Sequence, residues 1–282
     1  MGLKQTRFKK VDIWKDHGNP QIGRVLVTGS TGFIGSNFLR LSNLSLFNEI
    51  VLWDKSTMGT ILQRENRVRQ LMQIRPEVVI HLAWSTTRHQ EYEENNANGQ
   101  SALATIEFAL ECHKENIRFI TLGSAVEDIP LVTEGKSRYA QAKNMIRNDF
   151  KSLGLLKDVS YIKPNYIFSI PDERPRLVRD FLNDRDKPEN VIRNPERLVR
   201  FIHIDDVVSA LILTLEEDIR GVIELGGGVE ASVSSFVNTV CRNLGIENAF
   251  PMAIVNVESL APNEQLSSFG WHSSATDDFF LV

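Results

Sequence analysis

Cysteine is scarce in this chain: two of 282 residues, Cys112 and Cys241. Two thiols cannot form the multi-bridge framework of a small secreted domain, and no Cys/His cluster has metal-ligand spacing, so no metal site is expected. Long apolar runs are missing as well; none approaches the ~18 residues that a membrane-spanning helix needs, and no membrane partner is expected. Positive charge is not in excess: 32 Lys and Arg stand against 36 Asp and Glu, a net charge of −4. A domain that grips a nucleic-acid backbone is normally basic, which removes nucleic acid as an expected partner. The opening stretch MGLKQTRFKKVDIWKDHGNP is charged with no apolar core behind it, and so does not read as a secretory signal. The expected setting is reducing and cytoplasmic. Repeats and low-complexity segments are absent, and 42% apolar with 24% charged residues is an ordinary globular composition.

Residues 1–23 read as an N-terminal extension closed by the turn signal His17-Gly18-Asn19-Pro20. From Arg24 onward, short apolar runs alternate with helical periodicity. Val25-Leu26-Val27, Ile50–Trp53, Val78–Leu82 and Arg118–Leu122 lack in/out alternation, as strands buried on both faces do. Helical spacing lies between them, at Phe33, Ile34, Phe38, Leu39 and Leu41 and over 64–75 and 98–115. That grammar predicts βαβ units, hence an α/β fold with a parallel sheet and helices on both faces. Beyond about residue 165, prolines (Pro171, Pro175, Pro188, Pro195) and charge thicken, with a helix near 174–184, a strand near 199–203 and helices near 205–217 and 231–244. This part suits a small, discontinuous α/β substrate cap. The expected division is 24–165 as a dinucleotide-binding domain and 166–282 mainly as cap, with 199–218 returning to the first domain.

Thr28-Gly29-Ser30-Thr31-Gly32-Phe33-Ile34-Gly35 follows the first strand and opens the first helix. Such a loop needs glycine for a tight turn, for close approach of backbone to a pyrophosphate, and for close helix–strand packing. The helix N-terminus adds N–H donors and partial positive charge. Asp54 ends the second strand at about the ~20-residue interval at which a carboxylate accepts from the adenosine ribose hydroxyls. The doubly wound sheet is therefore expected to be Rossmann-type, with NAD preferred because a carboxylate repels a 2′-phosphate; Lys55 beside it keeps NADP possible.

Tyr139 and Lys143 stand at i and i+4 on one helix face. A phenol titrates near ~10 and is a poor acid or base at neutral pH unless an ammonium favours the phenolate. Ser124 lies just past the strand Phe119–Leu122, where a parallel sheet delivers residues to a ligand. Together these three form a candidate catalytic set: Tyr139 exchanging a proton, Lys143 stabilising its phenolate, Ser124 orienting the substrate oxygen.

The segments VLVTGSTGFIG, VVIHLAW, LGSAVED, YAQAK and FIHIDDVVSAL resemble the extended short-chain dehydrogenase/reductase superfamily. More narrowly, the chain is similar to the NAD-dependent epimerase/dehydratase branch, which acts largely on nucleotide-activated sugars. The resemblance runs from about residue 24 to 245. It implies that Gly29, Gly32, Phe33, Ile34 and Gly35 line the pyrophosphate, that Asp54 takes the adenosine ribose, and that Leu82, Ala83 and Trp84 lie beside the cofactor. It implies a helix-opening, buttressing Asn96 and a second role for Tyr139 and Lys143 at the nicotinamide ribose. Lys163-Pro164 matches a strand end that usually reads Arg-Pro, which puts Lys163 with the cofactor and Asn165 and Tyr166 toward substrate. Arg197 and Arg200 flank Val199, where the family usually has an arginine for the sugar-nucleotide pyrophosphate. The departures are a shortened second crossover after Asp54, with Thr60 and Gln63 where the family often has acids, and a short interval between Ser124 and Tyr139.

Other groups read more plainly. His81 is expected in the core, Asp205 and Asp206 as helix-terminal caps beside His203, and Gly226-Gly227-Gly228 as a tight turn. Arg174, Arg176 and Arg179 read as a solvated face first and an anionic-substrate contact second. The function expected is NAD(P)-dependent epimerisation or ketoreduction of a nucleotide sugar. A non-catalytic NAD(P)-binding scaffold or redox sensor is the alternative, and dehydration ranks third because Glu127-Asp128 is offset from Ser124. A homodimer is expected through the helices at 98–115 and 138–153, whose Ala104, Ile106, Phe108, Ala109, Ala140, Met145 and Ile146 exceed what one sheet face needs.

Overall fold

A computed structural model of the chain describes residues 22–84, 96–128, 137–169, 194–245 and 257–280. The expected helix near 174–184, the cationic run Arg174, Arg176 and Arg179, and residues 1–21 of the N-terminal extension lie outside them; the last two residues assigned to that extension, Ile22 and Gly23, belong instead to the first strand. In chain order the elements are β1 (Ile22–Thr28), α1 (Phe33–Leu41), β2 (Phe47–Leu52), α2 (Lys55–Met58), α3 (Arg64–Ile74), β3 (Val78–His81), α4 (Ala97–Lys114), β4 (Arg118–Leu122) and α5 (Arg138–Ser152). They continue with β5 (Val159–Lys163), β6 (Tyr166–Phe168), β7 (Leu198–His203), α6 (Ile204–Glu216), β8 (Gly221–Glu224), β9 (Val229–Ser232), α7 (Val233–Asn243), β10 (Glu258–Ser259), α8 (Glu264–Ser268) and α9 (Ser274–Phe280).

The chain divides into two units. The larger holds 22–164 and 208–225, the smaller the described residues of 165–207 and 226–280. The sequence put the return to the first domain at 199–218. In the structure it begins at 208, because β7 pairs with β6 and β9 and so belongs to the smaller unit's sheet.

The larger unit is a Rossmann-type, six-stranded parallel sheet in the order β2-β1-β3-β4-β5-β8. After β2 the chain crosses β1 and lands directly at β3, with only α2 and α3 between; this is the shortened crossover that the sequence suggests after Asp54. Register places Leu26, Val79, Phe119 and Tyr161 in one apolar cluster with side chains from α3, α4 and α5. Val25, Val27, Ile80, Ile120 and Ile162 point the other way and are equally buried. Both faces are therefore covered, which is why these strands read as unbroken apolar runs.

The helices bury more of their apolar surface than the sequence suggests. Ala104, Ile106, Phe108, Ala109, Ala140 and Ile146 are all buried inside the subunit, because the sheet and the α4–α5 contact absorb them. Only Met145 of that set remains exposed, joined by Leu103. The apolar excess expected to drive pairing is thus mostly spent within the subunit.

The smaller unit is a four-stranded sheet, β10-β9-β7-β6, with a phenylalanine core. Phe201 and Phe236 stack at 4.1 Å, and Phe168, Phe279 and Phe280 pack around them. Asp206 accepts from the backbone N–H groups of Ala275 (3.1 Å) and Thr276 (2.8 Å) and from the Thr276 hydroxyl (2.6 Å), so it caps α9, the helix that carries Phe279 and Phe280. Burial raises its carboxyl to about 6 against those hydrogen bonds. The Gly226–Gly228 turn has positive φ at all three positions.

In the larger unit, one buried ion pair ties α3 to α4. Arg67, with no side-chain exposure, donates twice to Glu111 (2.9 Å each), to Glu107, and to the carbonyls of Ile61 and Leu62. Removing one partner of such a pair strands a buried charge. Arg67→Ala is expected to cost about 3–5 kcal/mol in urea unfolding. Adding Glu111→Gln should recover part of that loss, because the stranded anion goes with it.

Candidate active site

The glycine loop has the geometry its residue types require. Gly29 sits at φ +71, and a side chain there would strike the backbone of Leu82 and Ala83 at 2.6 Å. At Gly35 an added carbon would lie 2.2 Å from the Gly29 carbonyl, so only glycine lets α1 close on β1. Gly32 is the N-cap of α1, no side chain caps the helix, and its first turn holds no acid. A backbone cradle leading into an uncapped helix N-terminus fits a pyrophosphate. Asp54, at the end of β2, is exposed and N-caps α2, accepting from the Ser56 N–H (2.9 Å) and hydroxyl (2.8 Å). Those hydrogen bonds hold its carboxyl below the usual range, so the group stays anionic.

The end of β3 is fixed by a proton-ordered chain. The Thr105 hydroxyl donates to the Ser101 carbonyl (2.8 Å), so it accepts from His81 Nε2–H (3.0 Å). His81 Nδ1 then accepts from the Thr28 hydroxyl (2.8 Å), which in turn accepts from the Ala83 N–H (3.3 Å). Burial, then the charges of Lys143 and Arg67, pull the imidazole down to about 3. His81 is thus a neutral connector in the core. It pins Leu82-Ala83-Trp84 against the glycine loop.

Lys143 and Tyr139 meet at the carboxyl end of β4, and Ser124 follows that strand by two residues. Lys143 is buried, donates to the Leu122 carbonyl (2.7 Å) and lies 5.6 Å from the Tyr139 ring centroid. Ser137 starts α5, accepting from the Ala140 N–H (3.1 Å), and so sets the phase that presents Tyr139 and Lys143 together. Two residues beyond Leu122, the Ser124 N–H donates to Glu127 Oε2 (3.3 Å). Burial pulls the Lys143 ammonium down from 10.5 to about 7, with the Glu127 carboxylate acting against it.

Trp84, expected only as a cofactor neighbour, lies directly over Lys143. The ammonium is 3.7 Å from the indole centroid, and the Trp84 and Tyr139 rings meet edge to face at 5.8 Å. The indole Nε1–H donates to buried Asn98 Oδ1 (3.0 Å). Sequence reasoning missed Asn98. Its sequence signal was the doubled Asn96-Ala97-Asn98, of which the resemblance points to the first; Asn96 lies against Gly99 at the start of α4.

The neighbouring acids are committed to one another's cations. Glu127 is fully buried and accepts from the Tyr161 hydroxyl (2.8 Å), with Lys163 at 3.8 Å and Arg147 at 3.5 Å; burial nonetheless raises its carboxyl. Asp128 accepts from Lys163 (2.6 Å) and from Arg147. Lys163, expected near the cofactor, thus places its ammonium between Asp128 and Glu224 (2.9 Å).

The residues expected toward substrate lie in the smaller unit. Asn165 donates to the Gly227 carbonyl (3.2 Å), the Tyr166 ring packs on Phe201 (5.5 Å), and exposed Arg200 pairs with Glu230 (3.0 Å). Arg197 is exposed beside β7. Among the described residues, no helix is long and apolar enough to cross a membrane.

Residues 25–226 match the NAD-dependent epimerase/dehydratase family, and the chain belongs to it. No curated protein matches the chain in sequence. Among solved structures, the chain is similar to a Bacillus anthracis dTDP-4-dehydrorhamnose reductase in complex with NADP (TM-score 0.69, 15% identity, 93% of this chain and 99% of that one). It is also similar to a Thermus thermophilus UDP-glucose 4-epimerase complexed with NAD (0.68, 18%, 92% and 99%). A third is a Campylobacter jejuni GDP-D-glycero-L-gluco-heptose synthase in the presence of NADPH (0.68, 14%, 92% and 97%). At these identities the likeness is one of fold.

The buried lysine has a consequence for stability. Its folded titration point, about 7, lies below the 10.5 of an unfolded lysine, so between those values the unfolded chain binds the extra proton. This group's contribution to stability therefore rises with pH over that window, by up to about 1.4 kcal/mol per pH unit. Lys143→Met is expected to unfold at a higher temperature than the parent at pH 6. That advantage should shrink as pH rises from 7 toward 10, as measured by thermal denaturation across the range.

Proposed function

We propose that this protein is an NAD(P)-dependent epimerase or ketoreductase acting on a nucleotide-activated sugar. The observation that carries the reading is the buried Lys143 ammonium, tied to the β4 carbonyl just before Ser124 and set beside Tyr139. A bound nicotinamide dinucleotide would supply hydride exchange at a sugar carbon. The loop Gly29–Gly35 and the N-terminus of α1, with Phe33 and Ile34, would hold its pyrophosphate. Asp54 would accept from the adenosine ribose, and Leu82, Ala83 and Trp84 would lie beside the dinucleotide. Lys143 stabilises the phenolate of Tyr139, which takes or returns the hydroxyl proton, while the Ser124 hydroxyl orients the same oxygen. Asn165, Tyr166, Arg197 and Arg200 are assigned to the sugar nucleotide, with Lys163 orienting the β5 end.

Epimerisation and reduction are preferred to dehydration because elimination needs an additional acid and base. Glu127 and Asp128 are the acids nearest Ser124, and they are engaged by Tyr161, Lys163 and Arg147. The named activities and bound cofactors of the three structural neighbours support the substrate class and the dinucleotide.

Tyr139→Phe is expected to lower kcat by ~100-fold or more while NADH affinity stays within a few-fold, since the phenol moves a proton and contributes little to binding. Turnover retained in that variant, across a nucleotide-sugar panel, would reject Tyr139 as the acid/base. Dinucleotide bound with no turnover of any sugar by the parent protein would favour the scaffold reading. Net NADH consumption marks a reductase; isomer exchange without consumption marks an epimerase.

The anionic, exposed Asp54 supports a preference for NAD(H). NADP(H) is expected to bind at least about tenfold more weakly through like-charge repulsion, and Asp54→Asn should narrow the gap. Equal affinities in the parent, measured by titration, would show that a cation such as Lys55 governs that pocket.

Leu103 and Met145, left exposed on α4 and α5, support a homodimer through those helices. Light scattering at tens of micromolar is expected to give twice the subunit mass, and Leu103→Glu with Met145→Glu to give monomers. A monomeric parent protein would end this assignment.

A further inference from the structure

Two aromatic rings and one ammonium, those of Trp84, Tyr139 and Lys143, meet beside the end of β4. The indole face of Trp84 covers the Lys143 ammonium at 3.7 Å, and the Trp84 and Tyr139 rings meet edge to face at 5.8 Å. Asn98 is buried on α4 and fixes the indole by accepting its Nε1–H, so turning the ring's face away breaks that hydrogen bond. Among the described residues the ammonium donates to a single carbonyl, that of Leu122. An ammonium out of water with one carbonyl partner is strongly disfavoured as a cation, and an aromatic face is the group that offsets this without adding a titrating charge.

We propose that Trp84 is a positioning residue: its indole face, locked by Asn98, keeps the Lys143 side chain charged and directed between the Leu122 carbonyl and Tyr139. The inference rests on the reading of Lys143 as the partner of Tyr139. The other titratable groups around Lys143 are Tyr139 on its own helix, His81 from β3, Glu127 from the turn after β4, and Tyr161 from β5, whose hydroxyl lies 3.0 Å from the Lys143 carbonyl. His81 is neutral through the working range. Glu127 favours the charged lysine, as the indole does, while the apolar bulk of Trp84 opposes it by excluding water. Two substitutions separate bulk from ring face: leucine keeps apolar volume and drops the ring, and phenylalanine keeps a ring and drops the N–H.

The test follows Lys143 directly, with no substrate, by NMR titration of 13Cε-labelled lysine, the resonance being assigned by its loss in Lys143→Met. In Trp84→Leu the Lys143 midpoint is expected to fall by about one pH unit, tenfold in the protonation constant, and in Trp84→Phe by less than half of that. Asn98→Leu is expected to lower the midpoint in the parent but not in a Trp84→Phe background, where no indole N–H remains. An unchanged or raised midpoint in Trp84→Leu overturns the proposal. If that variant does not fold, the Asn98 cycle decides: no shift from Asn98→Leu in the parent, or an equal shift in both backgrounds, overturns it. Loss of turnover in Tyr139→Phe with no midpoint response to Trp84 would defeat this inference and leave the proposed function standing. Retained turnover in Tyr139→Phe with the full midpoint response would do the reverse.

Discussion

Parallel strands covered on both faces leave a polar side chain nowhere to meet water except near the strand ends. Every polar group on β1, β3, β4 and β5 must therefore find a protein partner or cost roughly 1–3 kcal/mol. On the face shared with Leu26 and Val79, register lines up Thr28, His81, Thr121 and Tyr161. All four are buried, and each is satisfied: Thr28 through His81, His81 through Thr105, Thr121 through the His81 carbonyl (2.9 Å), and Tyr161 through Glu127. A one-residue slip of any strand would turn these groups to the opposite face, against an apolar layer. The hydrogen-bonded row thus fixes register at the carboxyl ends, and with it the exit directions of the loops that carry Gly29, Ala83 and Ser124.

That constraint explains why charge is distributed as it is beside the site. β4 and β5 end next to each other, and the residues leaving them bring Glu127, Asp128 and Lys163 together with Arg147 from α5 and Glu224 from β8. Lys163, bonded to two carboxylates, is held above its ordinary range once those bonds outweigh burial, whereas Lys143, bonded to a carbonyl and an aromatic face, falls well below it. Two buried lysines, one inside α5 and one at the end of β5, therefore hold opposite electrostatic positions. One is a fixed cation inside an ion network. The other is poised to respond to its neighbours, which is the condition a proton-transfer partner needs near neutral pH.

Much of this was legible in the residues. The glycine loop, the apolar runs of β1, β3 and β4 and the i, i+4 pair of Tyr139 and Lys143 are local patterns, and each is set by local physics: a turn, a doubly buried strand, one helix face. The fourth run, Ile50–Trp53, was also expected to be buried on both faces, but it falls on β2, which lies at the sheet edge with Leu52 exposed. Asp206 was expected to cap its own helix; it caps α9 instead, which the sequence could not show because α9 begins some seventy residues downstream. The return of the chain to the larger unit was placed several residues early, since an apolar strand such as Phe201–His203 does not say which of two sheets it joins. The apolar surface of α4 and α5 was overcounted for the same kind of reason: a helix's periodicity does not reveal how much of its face the sheet and a neighbouring helix will take up.

The role of Trp84 lies at the far end of that scale. By position it follows a strand and a cofactor-side loop, and nothing in HLAW distinguishes a ring that faces a ligand from one that faces a lysine. The distinction arises from three separate elements, β3 delivering the indole, α4 delivering Asn98 and α5 delivering Lys143, brought together because β3 and β4 pair and α4 and α5 pack on the same sheet face. A tryptophan answers that geometry better than a smaller apolar residue for two reasons. Its Nε1–H gives the buried amide of Asn98 something to bind, and its face gives the ammonium something to lie against. Leucine or alanine at this position would remove the hydrogen bond to Asn98 and the aromatic face from Lys143 together, so the three residues are best understood as one unit whose chemistry is spread across the fold.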